Sequence, residues 1–234
     1  MIKDYTIGPC GDTALMIRFE QRIGPDILRS AAEINNRIAK AHIPGILDRI
    51  PAYASVLVSY DPAVISYQAL KERIEGLGEG KEENTTDAQR RIVIPVLYGE
   101  PFPEDLAHIA EHAGISEEEV IQIHTVNEYP VYMIGFLPGF PYLGNLDERI
   151  HTPRRQAPRT EIPAGAVGIG GAQTGVYPIT SPGGWHILGI TPVKLYDPDA
   201  ESPVLLQSGD LIRFRSIDEE EFRRIQQSGG KLCL

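Results

Sequence analysis

Between Gly135 and Pro192 the chain carries glycine and proline so densely that few folds can accommodate it. This 58-residue stretch reads GFLPGFPYLGNLDERIHTPRRQAPRTEIPAGAVGIGGAQTGVYPITSPGGWHILGITP and holds 11 of the 23 glycines and 8 of the 19 prolines. Glycine supplies positive φ and close backbone approach, whereas proline fixes φ and removes a donor. Together they exclude a long helix and leave short strands joined by tight turns. Phe136, Phe140, Tyr142, Tyr177 and Trp185 stand directly against the turn signals, a placement that a disordered linker has no use for. The apolar runs Val167–Ile169, Val176–Ile179 and Ile187–Ile190 alternate with the turns. Such spacing predicts a closed or nearly closed β-barrel rather than stacked sheets.

The remaining chain adds helices around this barrel and a second domain before it. Residues 3–20 read as two short strands joined at Gly8–Asp12, the second being Ala14–Phe19. Gly24-Pro25-Asp26 opens a helix with Pro25 where its missing N–H costs nothing. Ile27, Leu28, Ala31, Ile34, Ile38 and Ala41 form its apolar face, at the spacing of a helix. Strands follow at Ile46–Ile50 and Ser55–Tyr60, then a helix from an N-cap at Ser66 to Leu77. Residues 78–89, GEGKEENTTDAQ, contain almost nothing apolar and read as a linker.

After the linker, Arg91–Tyr98 is strand-like, with Pro95 marking an edge or bulge. A helix over Glu104–Ala113 aligns Leu106, Ile109, Ala110 and Ala113, and Ser116–Glu119 forms a capping box before the next. Tyr129–Ile134 delivers the chain into the glycine-proline stretch. Leu211–Phe214 is a final strand, followed by a short acidic helix capped by Ser216 with Glu219 three residues on. The expected organisation is α+β: an N-terminal α/β domain over 1–78, a linker over 79–89 and a barrel domain over 90–234.

A net charge of −10 argues against nucleic acid as the main partner, since backbone binding needs a broad basic face. No apolar run approaches a membrane span, and MIKDYTIGPCGDT has no signal-peptide core. Cys10 and Cys233 have no CxxC spacing and read as thiols of a reducing cytoplasm. Against the acidic background, Arg149, Arg154, Arg155 and Arg159 fall within 11 residues. Arginine donates in bidentate fashion to a carboxylate or phosphate. The cluster therefore suits contact with one small anion or a partner; the plain alternative is a surface loop paired with Asp147, Glu148 and Glu161.

Each remaining motif carries a functional and a plain reading. His108-Ile109-Ala110-Glu111-His112 fits the H-x-x-E-H zinc pattern, but the helix stripe leaves both histidines on a solvated face, and no metal is expected. Gly168–Gly175 lacks the lysine of a phosphate loop, with Gln173 in its place. Extended sequence after it also excludes the dinucleotide fingerprint. Either its N–H groups line a pocket with Gln173 and Thr174 pointing in, or it is a barrel turn. No G-x-S-x-G elbow exists for a nucleophilic serine. In Ser181-Pro182-Gly183-Gly184-Trp185-His186, either His186 shuttles a proton or, by alternation with Ile187, it faces solvent, the reading preferred. The Gly135–Tyr142 turn offers aromatics on stiff backbone, with Leu-Pro and Phe-Pro bonds open to a cis geometry.

The segments GFLPGFPYLGNL, TPRRQAPR and IPAGAVGIGGAQTGVYPITSPGGW, with ITP after them, closely resemble the family known as the 5-oxoprolinase B subunit, as KipI and as allophanate hydrolase subunit 1. Gly11–Leu15 extends the resemblance more loosely toward the start. The resemblance implies a small N-terminal α/β domain and a cyclophilin-like C-terminal barrel. It implies a cytoplasmic heteromeric assembly with the 5-oxoprolinase C (KipA-like) and A subunits. That assembly would open 5-oxoproline to glutamate with ATP, whose site sits on this chain or on a partner. The alternative it carries is an inhibitor that docks on a sensor histidine kinase. The family's pattern falls on Gly139, Phe140, Pro141, Tyr142, Arg154, Arg159, Gln173, Thr174, Gly175, Tyr177, Ser181, Pro182, Gly183, Gly184 and Trp185, taken as substrate- or partner-binding positions. His186 and Ile190 depart from it, and no catalytic residue is implied.

Overall fold

A computed structural model describes residues 2, 4–22, 24–78 and 90–230. By its internal contacts the chain divides into two compact units, Met1–Asp87 and Ala88–Leu234. The expected linker over 79–89 lies outside the described residues.

The first unit is a four-stranded antiparallel sheet with two helices. Its elements run β1 (Thr6–Pro9), β2 (Ala14–Arg18), α1 (Pro25–Lys40), β3 (Ile46–Pro51), β4 (Ser55–Tyr60) and α2 (Tyr67–Gly78), with spatial order β1-β2-β4-β3. Period-two alternation buries Leu15 and Ile17 of β2 and Val56, Val58 and Tyr60 of β4. The α1 stripe of Ile27, Ala31, Ile34 and Ile38 closes over that face; Leu28 is only half-buried and Ala41, past the helix end, is exposed. The Ser66 hydroxyl accepts from Ala69 N–H at 3.3 Å and starts α2 as its side chain predicts.

The second unit is a closed barrel. Its strands are β5 (Arg91–Tyr98), β6 (Glu128–Ile134), β7 (Pro141–Leu143), β9 (Ala166–Gly170), β10 (Gln173–Val176), β12 (His186–Ile190) and β13 (Leu211–Ser216), closing in the order β10-β7-β6-β13-β5-β12-β9. Two short strands, β8 (Arg159–Ile162) and β11 (Ser181–Gly183), pair separately. The helices are α3 (Pro103–Ala113), α4 (Glu117–Val126) and α5 (Glu219–Gln227). Helix α3 packs on β12 and α4 on β13. Ile92, Ile94 and Val96 of β5, Tyr129 and Val131 of β6 and Ile212 and Phe214 of β13 fill the interior with Leu106, Ile109, Val120 and Ile123 of the helices. The Ser116–Glu119 capping box is present in both of its bonds.

Some local expectations change. Strand β5 has neighbours on both sides, so it is not an edge. Yet it pairs with β13 along Arg91–Val96 and with β12 only at Leu97 and Tyr98, so Pro95 stands where the ladder is one-sided. The run Val176–Ile179 is strand only at Val176; Pro178 follows two residues on, without a donor for a ladder. Helix α5 is capped by Asp218, whose carboxylate accepts from Glu221 N–H at 2.8 Å, because Ser216 still belongs to β13. The cis X-Pro bond among the described residues is Glu100–Pro101; those at Pro138 and Pro141 are trans.

Candidate functional site

At one end of the barrel the glycine-proline stretch builds an aromatic cluster. The turn from β6 to β7 is closed by Gly135 N–H to Phe140 C=O at 3.0 Å and Phe140 N–H to Leu137 C=O at 3.1 Å. Gly139 takes φ +81° at no steric cost, whereas Phe136 takes φ +69° with a Cβ and leaves its ring 64% exposed. The turn drives Phe140 inward. Its ring centroid lies 4.9 Å from Tyr142, 5.2 Å from Tyr177 and 5.5 Å from Trp185, the last two edge-to-face. Such pairs contribute about 0.5–1.5 kcal/mol each beyond burial. The cluster needs bare backbone: a Cβ on Gly170 would meet the Trp185 indole at 2.3 Å, and one on Gly183 the Tyr177 hydroxyl at 2.4 Å. Burial pushes the Tyr177 phenol up to about 12, so it stays a neutral hydroxyl at pH 7.

Beside this cluster a single carboxylate organises the arginine loop. Asp105, in the first turn of α3, is fully buried. Its Oδ2 accepts from Arg159 Nη1 at 2.6 Å and from the Ile187 backbone N–H at 2.7 Å. Its Oδ1 accepts from Arg155 Nη1 at 2.8 Å and Arg159 Nη2 at 3.1 Å. Arg159 also reaches Glu104 at 2.8 Å and lies 4.0 Å over the Phe102 ring. Burial alone would raise the Asp105 carboxyl; the hydrogen bonds from Arg159 and Ile187 and the two positive charges hold it below the ordinary range.

His186 is the next neighbour, with Nδ1 3.6 Å from Asp105 Oδ1. That is too long for a hydrogen bond, and the nitrogen is buried without a partner. Its ring stacks on His108 of α3 at 4.6 Å. Burial lowers the His186 pKa, with Asp105 opposing and His108 and Arg155 adding to the effect.

A second polar cluster lies inside the barrel. His124 is completely buried and bonded at both nitrogens, Nδ1 to the Tyr98 hydroxyl at 2.7 Å and Nε2 to the Thr174 hydroxyl at 2.9 Å. Thr174 donates onward to Gly168 C=O at 3.0 Å, so it accepts from Nε2–H, and Nδ1 accepts from Tyr98. Burial drives the His124 pKa down to about 3.

The candidate positions therefore divide. Phe140, Pro141, Tyr177 and Trp185 are buried, as are Gly139, Thr174, Gly175 and Ser181. Tyr142, Gln173, Gly183 and Gly184 are half-buried, and Pro182 and Arg154 are exposed. Gly168–Gly175 is a β-hairpin joining β9 to β10, with the Thr174 hydroxyl turned into the barrel. His186 is 5% exposed rather than solvent-facing, because α3 covers the outside of β12. His108, Glu111 and His112 are exposed. No group of three or more metal-ligating side chains occurs among the described residues.

The arginine loop keeps only one of its expected local partners: Arg149 pairs with Asp147 at 2.8 Å, but Arg155 and Arg159 reach back to α3. The Arg154 guanidinium pairs with no carboxylate among the described residues and lies 5.9 Å from the Trp185 ring centroid.

Asp105 was not singled out by sequence reasoning, although it precedes Ile109 by four residues and so lies on the apolar stripe of α3. An acid on that stripe was the available signal. His124, four residues after Val120, carried the same one.

The second unit is thus a closed barrel with a buried ion cluster, and it follows a small α/β unit in the chain. Residues 5–206 match the family described as the carboxyltransferase domain, subdomains C and D, and the chain belongs to that family. Within it, the chain belongs with the 5-oxoprolinase B subunits. It is 42% identical to the 5-oxoprolinase B subunit of Bacillus subtilis over 97% of this chain and 98% of that one. With the corresponding B subunit of Escherichia coli O157:H7 it shares 41% over 87% and 92%. The crystal structure of TTHA0988 superposes with a TM-score of 0.78 at 38% identity, covering 88% of this chain; this chain spans 40% of that one. No helix among the described residues is long and apolar enough to cross a membrane.

Proposed function

We propose that this chain is the B subunit of an ATP-dependent 5-oxoprolinase, active only when assembled with its C and A partners in the cytoplasm. The observation that carries the reading is identity above 40% to named B subunits over most of both chains. The site supports a share of a site rather than a whole one. Its aromatic end presents an exposed Phe136, a half-buried Tyr142 and the Arg154 side chain, yet no serine, cysteine or metal set poised for hydrolysis is assembled there among the described residues.

ATP would supply the driving force that a stable five-membered lactam needs before water can open it. The Gly168–Gly175 segment does not fit a nucleotide phosphate. The glycine-rich segment that could have cradled one is the β9–β10 hairpin, with its threonine hydroxyl bonded to Gly168 and His124. In this reading the nucleotide site lies on a partner. This chain contributes binding surface, and its buried Asp105 cluster holds that surface in shape.

The test is reconstitution. The purified chain, mixed with its C and A partners, should release glutamate from 5-oxo-L-proline with matched ATP hydrolysis, and the chain alone should release none. Glutamate release by the single chain, or none from the full assembly, contradicts the reading.

A further inference from the structure

Four arginines stand close together in the sequence, and the structure spends three of them. Arg149 is bound to Asp147, and Arg155 and Arg159 are bound to Asp105. Arg154 is left. It is exposed, and its guanidinium has no carboxylate or hydrogen-bond partner among the described residues.

The backbone beside it and the ring it lies over are nonetheless held. Arg155, next in sequence, is held through its side chain to Asp105 and through its backbone N–H to Gly184 C=O at 2.8 Å. Trp185 lies between that Gly184 and Ile187, whose N–H is also bound to Asp105. The same buried carboxylate thus registers the arginine loop and the strand that carries the indole. A cation preplaced over an aromatic ring, with its flanking groups immobilised, binds an anion with little further loss of entropy.

The structure assigns Arg154 to recognition of the substrate carboxylate, a monoanion on a small cyclic amide; this rests on the proposed 5-oxoprolinase reading. The chemistry favours that class over a phosphate. A phosphate group draws on several cations, but Arg155 and Arg159 are neutralised by Asp105 and Glu104, and Arg149 by Asp147. One uncommitted guanidinium matches one carboxylate in bidentate fashion. The half-buried Tyr142 ring, edge-on to the buried Trp185 indole at 6.3 Å, offers apolar surface beside it for a five-membered ring. Arg154 also works against the rise that burial causes in the Tyr142 pKa, which places its charge within reach of that phenol.

The experiment compares two lactams on the reconstituted assembly: 5-oxo-L-proline and pyrrolidin-2-one, which lacks the carboxylate. Arg154→Gln should weaken binding of 5-oxo-L-proline roughly 10- to 100-fold, the range for a lost charge-assisted pair, and raise KM with kcat little changed. Binding of pyrrolidin-2-one should not change. Arg154→Lys should fall between, keeping charge but not the planar fork, and Arg149→Gln should match the unmodified chain. Size-exclusion chromatography of Arg154→Gln with its partners should show an intact assembly. Equal loss of both lactams, no loss of either, or failure to assemble overturns the assignment while leaving the 5-oxoprolinase reading in place, provided the unmodified assembly turns over. An unmodified assembly that releases no glutamate overturns both.

Discussion

The barrel unit buries two polar clusters and treats them in opposite ways. Around His124 every side-chain partner is neutral and both ring nitrogens are bonded, through Tyr98 on one side and Thr174, which passes on to Gly168, on the other. Around Asp105 the side-chain partners are charged and the bonding is incomplete, with His186 Nδ1 and Arg155 Nε both buried and unpartnered. A closed neutral network fixes strand packing and asks nothing of the surroundings. An ionic cluster at the surface of α3 loses more on desolvation and needs a reason to be there. Here it ties α3 to the arginine loop and to β12, and it leaves Arg154 outside the pairing.

The largest expected effect breaks the charged cluster. Asp105→Asn removes the buried anion shared by Arg155 and Arg159, leaving Arg159 only the exposed Glu104, and should destabilise the barrel unit by about 3–5 kcal/mol, read from urea unfolding. If the loss stays below about 1 kcal/mol, Asp105 does not organise the loop. Its acid dependence has a definite sign. The folded carboxyl is held below its ordinary value, so its contribution is present above the unfolded pKa and disappears as pH falls through the folded one.

Next comes the neutral cluster. His124 has a folded pKa of about 3 against an ordinary 6.5, so the fold holds it uncharged. Its contribution is complete above about pH 6.5 and is lost as pH falls toward 3, at up to about 1.4 kcal/mol per pH unit. Stability measured from pH 7 to 4 should show this slope, and His124→Gln should flatten it while losing about 2 kcal/mol through imperfect bonding to Tyr98 and Thr174. A slope that survives the substitution assigns the acid sensitivity to another group, with His186 the first to examine.

The smallest effect sharpens the contrast. Arg154→Gln should change stability by less than about 0.5 kcal/mol, as expected of an exposed side chain with no ion-pair partner. A loss near that of Arg159→Gln would mean that Arg154 is part of the ionic cluster after all.

Much of this was legible in the sequence. Glycine and proline between Gly135 and Pro192 announced short strands and turns, and the barrel follows from them. The helical stripes of α1 and α3 came from spacing, and the Ser116–Glu119 capping box that starts α4 stood in the letters. What did not emerge were contacts across 50 or more residues. Nothing local to Arg155 or Arg159 points to Asp105, and Asp147, Glu148 and Glu161 were nearer candidates by position. His186 was expected at the surface because strand alternation says which face a residue takes, but not whether a helix covers that face. Helix α3 does, and it buries the imidazole.

A double-mutant cycle on stability tests the central claim, that one aspartate divides these arginines into a structural pair and a remaining one. With Asp105→Asn as the common partner, the coupling to Arg159→Gln should reach about 2 kcal/mol or more, within the range for directly bonded groups. The coupling to Arg154→Gln should fall within about 0.5 kcal/mol of zero, as for sites that share no bond. Equal couplings for the two arginines would contradict the account.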